Sequence, residues 1–450
     1  MITCWAVRIA TTLLLLIAGS HARANPASDV PSAADPGNTA DAHITLDYGY
    51  ELDTSSIARE VVNDDPLGRT RTTDDLTFQQ FRHVITPKLE LGIYHDTWIS
   101  VALPIVVNQA RELKLASGIT RETSTTLLDG LLPIEGFDAD DQTTPTTGDR
   151  IFQGKNRKGL DQIRLGLGVA PMSQKRDPTK PTWKLGAEVR LAVGKLMEFD
   201  RDNVGAETGV SRGVHELRLW SSFGRRYRRT EGWFEIFYQV PLRERGGSLY
   251  KNPGFGATNV GAGQQAGLAF GVETYAVDDR VNQNRISLDL GASVVGHFEG
   301  REYTEMWEVF AFAGDVNAQG PLVLDADPTV AGRQDARHPG ISNFENYLET
   351  TAKIALRANL GEHARFAVGV DLKWKTDHMI SFADAGVDFP VCGSSGSSTG
   401  KCENEDNDLV TPGSAEVNPL HTPLIDLVGH RYLSRDNFSV VIGVQGSVLW

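Results

Sequence analysis

Phe438-Ser439-Val440-Val441-Ile442-Gly443-Val444-Gln445-Gly446-Ser447-Val448-Leu449-Trp450 ends the sequence, and its side chains sort onto two faces. Phe438, Val440, Ile442, Val444, Gly446, Val448 and Trp450 make one face; Ser439, Val441, Gly443, Gln445, Ser447 and Leu449 make the other. A period of two is the period of a strand, because successive side chains leave a pleated backbone on opposite sides. The run is longer than an ordinary soluble strand and suits a tilted strand across a bilayer, which needs about 9–11 residues. The last strand of a soluble sandwich is the competing reading of these residues alone.

The far end of the chain bears on that choice. Arg8 precedes an apolar run from Ile9 to Gly19, and Ala22 and Ala24 satisfy the small-x-small rule for cleavage before Asn25. Residues 1–24 are thus expected to be a cleaved secretory signal, too short for a membrane helix. No later stretch approaches 18 consecutive apolar residues, so an exported chain that crosses a membrane must do so as a closed barrel, the form that leaves no strand edge unpaired in lipid. The alternating C-terminal strand ending on an aromatic residue resembles the assembly signal of Gram-negative outer-membrane β-barrel proteins. That resemblance implies a role in membrane insertion for Phe438, Val448 and Trp450, with the outer-membrane assembly machinery, lipid and lipopolysaccharide as partners.

Between these ends the composition is that of strands apolar on one face only: 45 glycines and 40% hydrophobic residues. Loss of Arg8 and Arg23 with the signal leaves 42 basic against 58 acidic residues, a net charge of −16. That sign argues against nucleic acid, whose phosphates call for cations.

Residues 25–42, rich in Pro, Ala, Ser and Asp, read as a flexible periplasmic leader with nothing to bury. From residue 43 to 450 the chain reads as one all-β domain, a transmembrane antiparallel up-and-down barrel. Twelve alternating segments are expected, near 43–52, 77–93, 98–107, 161–170, 182–194, 214–224, 232–240, 264–277, 285–296, 347–360, 365–375 and 438–450. Their connections alternate long (53–76, 108–160, 195–213, 241–263, 297–346, 376–437) and short. Barrels of this kind have long external loops and short periplasmic turns, so length assigns a side to each connection. Fourteen strands is the fallback, reached if Leu420–Tyr432 and a segment such as Met306–Phe312 also pair. The hairpin from Leu89 to Val107, with Leu89-Glu90-Leu91-Gly92, a short turn and an apolar strand, resembles those of outer-membrane transporters for hydrophobic and aromatic compounds. The resemblance implies transport.

With apolar residues against lipid, the alternate positions face the lumen. Charged side chains there are Asp47, Glu51, Arg82, Lys88, Glu90, Arg164, Lys184, Glu188, Arg190, Glu216, Arg218, Glu235, Glu273, Asp289, Glu349, Lys353, Arg357, Asp371 and Lys373. A charge on the lipid side would cost about 2–4 kcal/mol at the midplane, so one consistent face for all of them supports the register. Near-balanced signs fit a water-filled pore selecting polar solutes, or a paired network that seals a narrow barrel.

Cys392 and Cys402, the two cysteines left after export, flank a Gly/Ser-rich stretch and are expected to form a disulfide. Acidic clusters at 138–141 and 403–408 lack the twelve-residue calcium-loop spacing and read first as solvated loop. His378, His421 and His430 share the last long loop, where a metal site is the minor reading and no metal the expectation. Residues 425–432 are apolar for a loop and are expected to fold over the barrel mouth as a constriction. Arg225 to Arg229 fall on a short turn that could meet lipid headgroups.

A hydrolase barrel would need a Ser–His or Asp–His arrangement that no spacing here supplies. The expectation is therefore a non-enzymatic channel without cofactor, for passive or facilitated diffusion of small solutes; a sealed structural or adhesive barrel is the alternative, and an outer-membrane hydrolase a weaker one.

Overall fold

The computed structural model describes residues 28–33, 41–62, 70–142, 145–204, 209–247, 249–250, 261–279, 281–325, 332–383, 402–403, 409–410 and 420–450. Twelve antiparallel strands form one closed barrel. They are β1 (Ala42–Val62), β2 (Thr70–Tyr94), β3 (Thr97–Ala102, continued by Ile105–Leu115), β4 (Ile163–Met172), β5 (Thr182–Leu191) and β6 (Val214–Tyr227). The second half comprises β7 (Thr230–Glu244), β8 (Gln265–Asp279), β9 (Asn284–His297), β10 (Tyr347–Leu360), β11 (Ala364–Lys375) and β12 (Tyr432–Leu449). Among the described residues no helix is long and apolar enough to cross a membrane.

Each strand pairs with its sequence neighbours, and β12 closes the ring by pairing with both β11 and β1. Ala42 and Trp450 exchange backbone hydrogen bonds at 3.0 Å in each direction, so first and last barrel residues meet at the end that carries the short turns. An even strand count brings both ends to this side, and since the closed barrel has twelve strands the fourteen-strand fallback gives way. Met306–Phe312, the segment that fallback would have paired, lies instead largely within a helix.

The wall is sorted by alternation. Ile44, Leu46, Leu167, Leu219, Ile236, Phe270, Leu288, Ile354, Leu356, Phe366 and Val448 are exposed on the outside. So continuous an apolar surface is far beyond what a soluble monomer tolerates, and lipid is the solvent that accepts it. On β12 the other face carries Ser439, Val441, Gln445, Ser447 and Leu449, all buried inside.

Several strands run beyond the expected bounds. β1 has 21 residues and β2 has 25, pairing from Ala42↔Leu91 to Val62↔Thr70. At about 3.3 Å per residue β1 reaches roughly 70 Å, or about 50 Å along the membrane normal at a tilt of about 45°, so its far end stands outside the hydrocarbon of about 30 Å. Much of the loop expected over 53–76 is therefore strand, at 53–62 and 70–76, because pairing continues where no lipid requires it. β3 breaks at Leu103-Pro104, where proline has no N–H to give the ladder.

On the long-loop side three short helices, α1 (Thr125–Leu128), α2 (Trp307–Ala313) and α3 (Pro423–Asp426), lie in a cap. Every residue of α2 is buried, its one charged side chain, Glu308, being paired with Arg157. Its Trp307 and Phe310 join Leu76, Leu113, Leu131, Phe152, Phe199, Ile380, Ile425 and Tyr432 in one apolar core above the lumen. Cys392 and the connections around 384–401 and 411–419 lie outside the described residues, and so does the pairing expected between Cys392 and Cys402.

Candidate functional site

The lumen wall is built by the inward set of each strand, and its charges meet across neighbouring strands. The densest node joins β8, β9 and β10. Arg357 donates to Glu273 at 2.6 Å and to Asp289 at 2.8 Å, while Lys353 stands 4.0 Å from Asp289. Trp233 on β7 adds an indole N–H to Asp289 at 2.9 Å. Asp289, Glu273 and Arg357 are 0%, 1% and 4% exposed, so these pairs are closed to solvent.

Other expected lumen residues pair more locally. Lys373 bridges to Glu51 (3.0 Å), Lys88 to Glu90 (2.8 Å), Arg190 to Glu188 (2.8 Å) and Arg218 to Glu235 (3.2 Å). Arg82 lies 3.7 Å from Asp161 and Glu349 3.9 Å from His297, while Asp47 accepts from Gln445. Glu216 is held by Arg212. Arg164 lies against Gln162, and Asp371 has an inner oxygen, Oδ1, without a hydrogen-bond partner among the described residues. Lys184 departs from the wall-to-wall pattern: it donates to the backbone carbonyl of Asp29 at 3.1 Å.

Asp29 belongs to the leader, for which the composition suggested a flexible strand-free segment. Residues 28–33 instead enter the short-turn end of the barrel. Ser28 N–H donates to Glu231 (2.7 Å), Ser32 Oγ to Asp96 (2.7 Å) and Ala33 N–H to the His95 carbonyl (2.8 Å); Arg365 pairs with Asp29. Val30 is buried against Trp98, Ala170 and Trp220. These indoles lie flat on the wall because Gly168 and Gly186 have no Cβ, which would stand 2.3 Å from the rings of Trp98 and Trp220. The physical reason for the difference is that Val30 has a seat to fill, made by residues that its own segment does not announce.

The opposite end is closed by the cap. Arg59, at the far end of β1, donates to the carbonyls of Thr125 (3.0 Å), Leu424 (2.8 Å) and His430 (3.1 Å), pairs with Asp129 (2.6 Å) and stacks on Tyr432. Asp75 anchors α1 by accepting from the Thr125 and Thr126 N–H groups, each at 3.0 Å. Arg157 pairs with Glu308 of α2 at 2.8 Å beneath Trp307. Within the segment 425–432, Ile425 and Tyr432 are buried in the cap, whereas Leu427 and Val428 face outward. Within the loops, burial with Arg301 nearby pulls the His338 imidazole down to about 3, and its Nδ1 accepts the Gly340 N–H at 3.0 Å.

Beneath the cap two polar cavities open into the lumen. One, of about 180 Å³, is walled by Arg190, Ser211, Arg212, Glu216, Gln239 and their neighbours. The second, of about 160 Å³, is walled in part by Asp53, Gln80, Arg111, Glu302 and Lys375. Arg212 of the first cavity is bonded to Glu302 of the second, so an ion pair links the walls of the two.

The histidine cluster, the minor reading of the last loop, does not assemble among the described residues. His378 stacks on Tyr347 (4.1 Å between centroids), and His421 bonds to the Ala383 carbonyl (2.9 Å). Among the described residues the one trio of acidic or histidine ligands is Asp200, Asp202 and Asp315, where Arg337 already reaches Asp200 (2.8 Å) and Asp315 (3.6 Å). In the acidic stretch at 138–141, Asp138 accepts the N–H groups of Asp140 and Asp141, and Lys155 pairs with Asp140 at 2.8 Å. Of the basic turn, Arg226 turns inward to Asp278 (2.6 Å) and over Tyr275.

No family model and no curated protein matches the sequence. Among solved structures the chain is similar to an outer membrane channel from Pseudomonas putida F1, with 8% identity over 93% of this chain and 100% of that one and a TM-score of 0.38. It is also similar to a FadL homologue from Pseudomonas aeruginosa (8% identity, 96% of each chain, TM-score 0.31) and to a deletion mutant of the TodX monoaromatic hydrocarbon channel (9% identity, 90% of each chain, TM-score 0.30).

Proposed function

We propose that this protein is an outer-membrane channel through which small polar solutes diffuse along a charge-lined lumen, closed at both ends in the conformation described. The observation that carries the reading is the pair of polar cavities under the cap, whose walls are linked by the Arg212–Glu302 ion pair. Each is large enough for several waters, at about 30 Å³ apiece. The apolar belt is what puts the barrel in lipid. The signal, the C-terminal strand and the export they imply make the outer membrane its compartment, with lipopolysaccharide as its lipid neighbour and the assembly machinery as its route there. The proposal assigns the chain no catalytic step.

A sealed structural barrel is the second reading, and the Glu273–Arg357–Asp289 node favours it, because those charges are paired and dry. Single-channel recording on the refolded mature chain separates the two. Discrete ion steps, larger when residues 28–33 or 420–432 are deleted, support the channel. Silence from the parent and from both deletions supports the sealed barrel.

A further inference from the structure

The first cavity is lined by two polar atoms that lack a hydrogen-bond partner among the described residues. Ser211 is 1% exposed and Gln239 4%, and neither Ser211 Oγ nor Gln239 Oε1 has a hydrogen-bond partner among the described residues. Both side chains line the cavity of about 180 Å³. Buried polar groups are ordinarily satisfied, so two orphans facing one space mark a place that something polar occupies.

The wall also limits the charge of the occupant. Its charged groups are Asp161, Arg190, Arg212 and Glu216, two of each sign. Each has a partner already: Arg212 holds Glu216 and Glu302, Arg190 holds Glu188, and Arg82 faces Asp161. An ionic solute entering here would lose its water and find no free counter-charge. An apolar solute would leave Ser211 and Gln239 unbonded. Gln239 Oε1 calls for a donor, while the Ser211 hydroxyl can give or take.

We propose that this cavity is a binding subsite for a small uncharged polyhydroxylated solute, one of about the size of a hexose. The proposal deepens the channel reading and rests on it for its biological sense, but the site itself is testable at equilibrium. The space corresponds to roughly six waters at about 30 Å³ each, which a sugar-sized polyol displaces while replacing their hydrogen bonds.

The test uses the full mature chain refolded in detergent, with D-glucose, toluene and sodium acetate as probes followed by saturation-transfer NMR. Glucose binds saturably, and toluene and acetate do not compete with it. Gln239→Leu and Ser211→Ala each weaken glucose binding about tenfold, as loss of one hydrogen bond to a buried group predicts. Heat-modifiable electrophoretic mobility confirms that both variants keep the folded barrel. Absence of glucose binding, glucose binding indifferent to both substitutions, or displacement of glucose by toluene overturns the proposal. Single-channel recordings on the same sample keep the two ideas apart. Ion steps without glucose binding sink the subsite and leave the channel; glucose binding without ion steps leaves the subsite and removes the channel.

Discussion

Replacing Arg357 by Met removes the cation that ties β8, β9 and β10 together near the short-turn end of the lumen. The guanidinium sits 2.6 Å from Glu273 and 2.8 Å from Asp289, both essentially unexposed. Its loss leaves two buried carboxylates side by side, with Lys353 at 4.0 Å and the Trp233 indole as the remaining support for Asp289. Breaking a buried pair by removing one partner costs about 3–5 kcal/mol, and the Arg357→Met barrel is expected to lose that much. The triple change R357M/E273Q/D289N recovers most of the loss, since removing every charge also removes the cost of burying one unpaired. Guanidinium unfolding of the refolded barrel in detergent, followed by tryptophan emission, gives the comparison directly, with Trp233 as an internal reporter. A single variant within about 0.5 kcal/mol of the parent, the range of an ordinary surface change, would refute the idea of a dry paired node and put water among those charges.

Four further outcomes are expected. R212A/E302A removes the ion pair that links the walls of the two cavities and raises single-channel conductance; unchanged conductance would take that pair out of the solute path. Arg59→Ala releases three loop carbonyls and Asp129, so limited proteolysis cuts within 420–432 sooner while the barrel core resists as before. Val30→Asp puts a charge onto the Trp98–Trp220 seat and should free the leader, read as proteolysis at residues 28–33 and a higher open probability. Acid should loosen the cap: the His338 imidazole sits at about 3 against an ordinary 6.5. The opened cap therefore binds the extra proton first, and closure weakens by up to about 1.4 kcal/mol per pH unit as pH falls through that window. Cap proteolysis that rises below pH 6.5 in the parent and much less in His338→Gln checks the sign.

Period-two alternation made the wall legible in the sequence. Each strand declares its own two faces, and lipid accepts only the apolar one, so Leu165, Leu167 and Leu219 or Leu356 and Phe366 announce a membrane surface without reference to any other residue. The inward register and the closing strand follow from the same local rule. Strand ends did not follow, because β1 and β2 keep pairing after the bilayer stops asking for it.

What closes the barrel is of another kind. Nothing in Trp307–Ala313 distinguishes a strand from a helix; its apolar sides became a buried helix because the loops surround it completely. Arg59 meets the carbonyl of His430 across 371 positions, and Asp29 meets Arg365 across 336. Such partners are chosen by where the ring of strands delivers them. The sequence by itself determined a barrel with its greasy side outward, because that preference is local and repeats every second residue. Tertiary structure alone decided which acid meets which base, where the leader seats and which polar atoms face an empty space, because those depend on distances that no repeat encodes.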